Sequence, residues 1–207
     1  MSARYPLVAV YADESCLGNG KQGDTPGGAG GLVEYQQRSG ELVCRDFWIS
    51  EPDTTNNRMA LQRVIQAFTH LSAKDERLSV SFTTDSRYLV DGMVTWVHGW
   101  ARKQWRKADG KPVENLALWH RAMSVVSDGG HEVEWRWVRG HAGHPQNEWA
   151  NHLATTAAAE QTQSGGLVES GFARWMESLP LAVRKSGPPV AFPVASSFAP
   201  ARALPAP

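Results

Sequence analysis

Residues 56–71 read NNRMALQRVIQAFTHL, and this segment separates two differently organised parts of the chain. Its apolar residues recur three or four positions apart, which predicts an amphipathic helix over 56–71. Three β-rich runs precede it, over residues 5–12, 31–35 and 41–49, and turn-forming residues separate them. Three such strands predict an antiparallel meander.

After this helix the predicted elements alternate between strand and helix. A fourth strand over 78–85 is followed by helices over 87–100 and 113–127, a fifth strand over 132–138 and a last helix over 147–160. The order of elements predicts an α/β fold with a five-stranded mixed sheet flanked by helices.

Length and composition restrict the class of protein. The chain has 207 residues, 42% hydrophobic and 20% charged, with 21 basic and 21 acidic side chains. No apolar run approaches the ~18 residues of a membrane span, and acidic residues follow closely on the N-terminus, so we expect a cytoplasmic protein without a membrane partner. Two cysteines exclude a disulfide framework and a four-cysteine zinc site. We further expect a monomer.

The C-terminal part differs in composition. Seven of the twelve prolines lie between residues 180 and 207, mixed with alanine and serine, which predicts a disordered tail over 180–207. We therefore divide the chain into a domain over 1–160, a short packed extension over 161–179 and this tail. A proline-rich tail also suggests an interaction module, although its partner is unknown.

Several short motifs carry little weight alone. Gly18–Gly23 matches GxGxxG but precedes a strand instead of a phosphate-binding helix. His141 and His144 lack the spacing of a zinc site. Cys16 has no local signature of a nucleophile.

Two acidic residues lie where strands end, Asp13 after the first and Asp85 after the fourth. Catalytic groups in open α/β sheets lie beyond strand ends, but an aspartate there is also a common turn or helix cap.

Residues 98–111 carry five basic side chains against one acidic one, and three of the nine tryptophans lie at positions 96, 100 and 105. Such a segment suits a nucleic-acid backbone. The alternative is a helix whose tryptophans face the core.

Six separated motifs, taken together, resemble bacterial type I ribonuclease H: residues 13–19, 26–30, 54–59, 84–88, 96–119 and 135–148. They occur in the family's order across residues 5–160. The resemblance implies the ribonuclease H fold and cleavage of the RNA strand of RNA/DNA hybrids. It also implies two Mg²⁺ ions held by four carboxylates in the order Asp, Glu, Asp, Asp.

The resemblance places the first and third carboxylates on Asp13 and Asp85, whereas the second and fourth fall on Ala60 and Asn151. Glu14, where the family usually has glycine, should point to the opposite face of the strand from Asp13. The resemblance thus leaves Asp13, Asp85 and the carbonyl oxygen of Asn151 as ligands, and we expect a weakened site for Mg²⁺ or Mn²⁺.

The resemblance also assigns the remaining site residues. His141 would assist proton transfer or product release, as a fourth catalytic residue beside Asp13, Asp85 and Asn151. The residues implied to contact the RNA/DNA hybrid are Cys16, Asn19, Thr55, Asn56, Asn57, Arg87, Trp96, Trp100, Arg102, Lys103, Trp105 and Lys107.

Two hypotheses for function follow from this pattern. The first is a hybrid-specific endoribonuclease of reduced efficiency. The second is a hybrid-binding protein without activity, whose substitutions at positions 60 and 151 are natural or introduced.

Overall fold

The computed structural model describes residues 2–18, 25–140 and 142–206. Its strands are β1 (Leu7–Cys16), β2 (Gly27–Gln36), β3 (Leu42–Glu51), β4 (Ser79–Thr84), β5 (Glu132–Trp137) and β6 (Val168–Glu169). Its helices are α1 (Asn56–Leu71), α2 (Arg87–Asp91), α3 (Val97–Arg102), α4 (Leu116–Asp128), α5 (Pro145–Glu160), α6 (Phe172–Ser178) and α7 (Leu181–Ser186).

The strands form one mixed sheet in the order β5-β4-β1-β2-β3-β6. The meander β1-β2-β3 is antiparallel, while β4 and β5 run parallel to β1. The predicted fold class is confirmed, but the sheet has six strands instead of five. The additional strand β6 is two residues long and pairs with β3, too short for a pattern in the sequence to identify.

The two faces of the sheet are covered by different helices. Val8, Val10 and Ala12 of β1 face the larger core, which includes apolar residues of α1 and α4. Ala9 and Tyr11 point to the other face, where α5 packs. Helix α5 lies very close to β2, since a Cβ atom added at Gly28 would be 2.1 Å from the carbonyl oxygen of Ala154.

Helix α1 has the predicted bounds and begins at an N-cap, where the Thr55 hydroxyl accepts a hydrogen bond from the backbone N–H of Arg58 at 3.3 Å. The continuous helix predicted over 87–100 is wrong in detail. A π-helical turn over Gly92–Trp96 divides it into α2 and α3. The turn packs closely on α4, and a Cβ atom at Gly92 would be 2.1 Å from the Trp119 ring.

The extension over 161–179 packs on the α5 face of the sheet. The buried Asp46 carboxylate of β3 accepts hydrogen bonds from the Ser170 hydroxyl at 2.7 Å and the Gly171 N–H at 2.8 Å. Phe172 and Trp175 contact Trp149 of α5. These contacts fix the extension to the domain.

The tail also contacts the domain, which differs from the disorder that we predicted for 180–207. Phe198 is buried, with 1% of its surface exposed. The Ala201 N–H donates to the Val133 carbonyl at 2.8 Å along the outer edge of β5. The side-chain amide of Gln146, on α5, donates to the Val190 carbonyl and accepts from its N–H. Tertiary contacts offset the unfavourable composition.

Among the described residues, no helix combines the length and the apolar character needed to cross a membrane.

Candidate active site and nucleic-acid interface

Asp13 lies near the C-terminal end of β1 with only 5% of its surface exposed. One carboxylate oxygen accepts the Glu14 N–H at 2.7 Å, and the other accepts the side-chain amide of Asn147, on α5, at 3.3 Å. Burial raises the pKa of Asp13 to about 8, and the charges of Asp85 and Glu14 add to this, while Arg63 opposes it. The environment therefore disfavours the negative charge on Asp13.

Asp85 follows β4 directly, beside Asp13 in the sheet. Its backbone carbonyl accepts a hydrogen bond from the Trp137 indole at 2.9 Å. Its carboxylate lies against the backbone of Gly140, where an added Cβ atom would be 2.3 Å from Oδ2. Only glycine leaves room there for the carboxylate in this position.

Glu14 points to the α1 side of the sheet, and Asp13 to the α5 side, as strand alternation predicts. Its carboxylate forms an ion pair with Arg63 of α1. Burial and the charge of Asp85 raise the pKa of Glu14, whereas Arg63 and a hydrogen bond from Ser86 lower it. Glu14 therefore lies at the site although it points away from Asp13.

Ala60 lies on α1, the helix that covers the side of the sheet to which Glu14 points. Ala60 is fully buried on α1, at the position where the resemblance places the missing second acid. The sheet face that Glu14 occupies is the face that α1 covers. A carboxylate from β1 thus lies on the side of the site where the resemblance places an acid on α1.

Arg63 is a site residue that sequence reasoning missed. It is fully buried, and its Nη1 donates to the Ala12 carbonyl at 3.1 Å while its Nη2 donates to the Thr84 hydroxyl at 2.6 Å. The available signal was a charged residue within the apolar stripe of the predicted helix 56–71. Long charged residues are rarely buried unless they are paired.

The start of α5 contributes the amide groups of the site. His144 is the N-cap, and its Nδ1 accepts the Asn147 N–H at 3.4 Å, which fits a pKa that burial lowers. Asn147 contacts Asp13, and Asn151 lies one turn further along the helix. His141, which the resemblance assigns to proton transfer, lies outside the described residues, so its role stays a prediction.

The oxygen-rich donor set fits a hard divalent cation in its chemistry. Asp13, Glu14 and Asp85 gather negative charge at a site with little solvent, and a bound cation would relieve their mutual repulsion. Within residues 2–18, 25–140 and 142–206, however, no three His, Cys, Asp or Glu side chains are already arranged as a metal centre. Substrate oxygens and water would have to complete the coordination.

The predicted hybrid contacts at the start of α1 lie at the surface, except for Asn56. Thr55 and Asn57 are exposed, while the Asn56 side-chain oxygen is buried and has no hydrogen-bond partner among the described residues. Cys16 is half-buried, and burial raises the pKa of its thiol to about 11, which disfavours a nucleophilic role. Asn19 lies outside the described residues.

Arg87 and Trp137 form a stacked pair beside the acids. The Arg87 guanidinium lies 3.8 Å from the centre of the Trp137 ring, whose indole N–H holds the backbone of Asp85. Sequence reasoning identified Arg87 but missed Trp137. The signal available was a tryptophan near the end of the predicted strand 132–138, and the structure shows this ring to be 39% exposed.

In the basic tryptophan-rich segment, the tryptophans and the charged residues differ in exposure. Trp100 and Trp105 are half-buried against the core, and Trp96 is the most exposed of the three rings. Arg102, Lys103 and Lys107 point to the surface, where Lys107 pairs with Glu114 at 3.1 Å. The rings support the segment, which we call the basic protrusion (residues 96–111), and its charges remain accessible.

Comparison with known proteins agrees with this arrangement. Residues 6–159 match the family model of RNase H. The chain is 42% identical over 164 residues to the ribonuclease H of Proteus mirabilis, a match that covers 79% of this chain and 94% of that protein.

Solved structures give the same result. LC9-RNase H1, described as a type 1 RNase H with the type 2 active-site motif, is 58% identical, with a TM-score of 0.88 over 98% of this chain and 95% of that one. LC11-RNase H1 in complex with an RNA/DNA hybrid is 14% identical with a TM-score of 0.53, covering 74% of this chain and 98% of that one. This second likeness concerns the fold alone.

Proposed function

The chain belongs to the ribonuclease H family, and from this premise we propose that it hydrolyses the RNA strand of RNA/DNA hybrids with divalent metal ions, Mg²⁺ or Mn²⁺. The observation that carries the proposal is that three acids, Asp13, Glu14 and Asp85, lie at one end of the sheet. The charge of Asp85 adds to burial in raising the pKa of both Asp13 and Glu14, so the three acids lie close enough to interact. Families of nucleases use such charge to hold cations.

Asp13, Glu14, Asp85 and the side-chain oxygen of Asn151 would hold the metal. Divalent cations at such sites activate water and neutralise charge on the leaving oxygen. Glu14 replaces the acid absent at Ala60, while the neutral Asn151 leaves the site one charge weaker. A rearranged set of acids agrees with the type 2 active-site motif described for the similar LC9-RNase H1.

The substrate would lie across the surface between α1 and the basic protrusion. Arg87 lies beside Asp85 through its contact with Trp137, and Asn56 lies one turn before Ala60 on α1. Both would contact the RNA strand, whose 2′-hydroxyl distinguishes it from DNA. Thr55, Asn57 and the charges of the basic protrusion would contact the DNA backbone. We expect the protein to act as a monomer in the cytoplasm.

The test is cleavage of an end-labelled RNA/DNA hybrid in Mg²⁺ and in Mn²⁺ by the full chain and four variants. We expect Asp13→Asn to abolish cleavage and Glu14→Gln to lower kcat at least about 100-fold, because each removes a metal ligand. Asn151→Asp should raise the rate in Mg²⁺. Glu34→Gln removes a buried acid of β2 outside the site and serves as the matched control.

Each outcome has a clear meaning. Cleavage by the parent that disappears in Asp13→Asn supports the proposal. Binding without cleavage in either metal would instead favour the hybrid-binding protein without activity. If Glu14→Gln cuts as fast as the Glu34→Gln control, Glu14 does not replace the missing acid.

A further inference from the structure

Arg63 connects the elements that carry the acids. Its guanidinium binds the Ala12 carbonyl on β1, the Thr84 hydroxyl at the end of β4 and the Glu14 carboxylate. Asp13 and Glu14 follow Ala12 directly, and Asp85 follows Thr84. One buried side chain of α1 therefore fixes the two strand ends where all three acids lie.

The relation between positions 60 and 63 is equally specific. They lie three residues apart on α1 and both are fully buried, so they share the helix face that packs on the site. A small residue at 60 leaves the space that a long side chain from the next turn can use. Position 60, where the resemblance places an acid, and the charged side chain of Arg63 therefore lie on the same buried face of α1.

We propose that Arg63 is a positioning residue of the reaction, which holds the Glu14 carboxylate on the α1 side of the site and so makes it available in place of the acid absent at position 60. The inference rests on the proposed function. Arg63 touches neither substrate nor reacting atoms, and it acts through Glu14. Glutamate and arginine form one functional unit, supplied by β1 and α1 together.

The geometry distinguishes this role from two others. A residue that only stabilises the fold would change stability on substitution, whereas Arg63, whose partner Glu14 is a carboxylate at the site, should also change Mn²⁺ affinity. A residue that merely blocks the site would weaken metal binding by occupying Glu14. The planar guanidinium can instead bind one carboxylate oxygen and leave lone pairs of the other free.

The test is a double-mutant cycle with Glu14→Gln, Arg63→Met and the combined variant, in which the buried pair is neutral and which we expect to fold. The first readout is Mn²⁺ affinity by calorimetry without substrate. The second is kcat and KM on the hybrid. Arg63→Lys tests conservative rescue, and Arg121→Met, an exposed arginine of α4, is the matched control.

We expect Arg63→Met to weaken Mn²⁺ binding about 10-fold or more and to lower kcat with little change in KM, as the loss of a partner to a metal ligand does. Arg63→Lys should recover part of this loss. In the Glu14→Gln background, Arg63→Met should cause no further loss of Mn²⁺ affinity, because its effect passes through Glu14.

Two results would overturn the inference while the proposed function stands. Equal losses from Arg63→Met with and without Glu14 would show independent action, and tighter Mn²⁺ binding by Arg63→Met would show that Arg63 blocks the site. If the parent neither binds Mn²⁺ nor cleaves the hybrid, the proposed function fails and this inference fails with it.

Discussion

Asp13 illustrates, for a single residue, how a buried acid beside other acids reduces the stability of the fold that carries it. Its carboxylate is held by Asn147 and by the Glu14 N–H, but it is buried near two further acids. These neighbours favour the protonated form. The protein therefore holds an acid that is costly to ionise.

This cost predicts a pH-dependent stabilisation by Asp13→Asn. The pKa is raised from about 4 in the unfolded chain to about 8 in the folded one, so the stability that Asp13 contributes falls as pH rises through this window and is lowest above pH 8. This difference in pKa corresponds to about 5 kcal/mol, so we expect Asp13→Asn to raise Tm by about 10–20 °C at pH 9 and by much less at pH 4, at about 2–4 °C per kcal/mol for this size.

Thermal unfolding of both proteins across this pH range, without metal, measures the difference. Saturating Mn²⁺ should raise the Tm of the parent only, since the variant lacks the ligand. A difference in Tm that is the same at every pH would contradict this account of Asp13.

At the scale of elements, the basic protrusion combines aromatic support with exposed charge. Trp96 and Trp100 contact each other at 5.7 Å between ring centres, and Trp100 contacts Trp119 of α4 at 5.4 Å. Two consecutive residues with positive φ, Gln104 and Trp105, turn the chain back after α3. The rings thus fix the segment to the domain, and its basic side chains stay at the surface.

The exposed charges predict how binding depends on salt. The double variant Arg102→Ala/Lys103→Ala should weaken hybrid binding and reduce the slope of log affinity against log salt by about 1 to 2. The variant makes fewer phosphate contacts, so its binding releases fewer counterions. Binding of a labelled hybrid by metal-free protein across a salt series measures the slope. Lys74→Ala, an exposed lysine after α1, is the control, and a slope unchanged from that control would remove the protrusion from the interface.

Elements with a strong local pattern could be predicted from the sequence, and features that depend on distant contacts could not. Helix α1 has its predicted bounds because its apolar period and its Thr55 cap are local. The ion pair of Glu14 with Arg63 was not predictable from alternation alone, because it depends on α1 packing against this face of β1. For Asp13 and Asp85, motif order and strand ends were sufficient to place both acids near each other.

In the whole molecule, segments that follow the predicted domain over 1–160 cover both edges of the sheet. The two-residue β6 pairs with β3 on one side, and the tail binds β5 through Ala201 on the other. Exposed strand edges promote association with other chains, and covered or very short ones prevent it. The extension and tail therefore favour the monomer that we propose.

The tail contacts predict the effect of removing them. Deletion of residues 188–207 should lower Tm by about 5–10 °C, because burial of an aromatic side chain is worth about 1.5–3 kcal/mol and each lost hydrogen bond about 1 kcal/mol. Phe198→Ala should reproduce much of this loss, whereas Val194→Ala, at a position 65% exposed in the same tail, should not.

The truncated chain should also associate, because deletion exposes the edge of β5. Light scattering at increasing concentration measures this, and hybrid binding measured beside it should stay unchanged, since the tail carries none of the predicted contacts. If neither the deletion nor Phe198→Ala changes Tm, the tail is free in solution as its proline content predicts, and another feature must protect β5. If hybrid binding is lost while Tm is kept, the tail is a binding module after all.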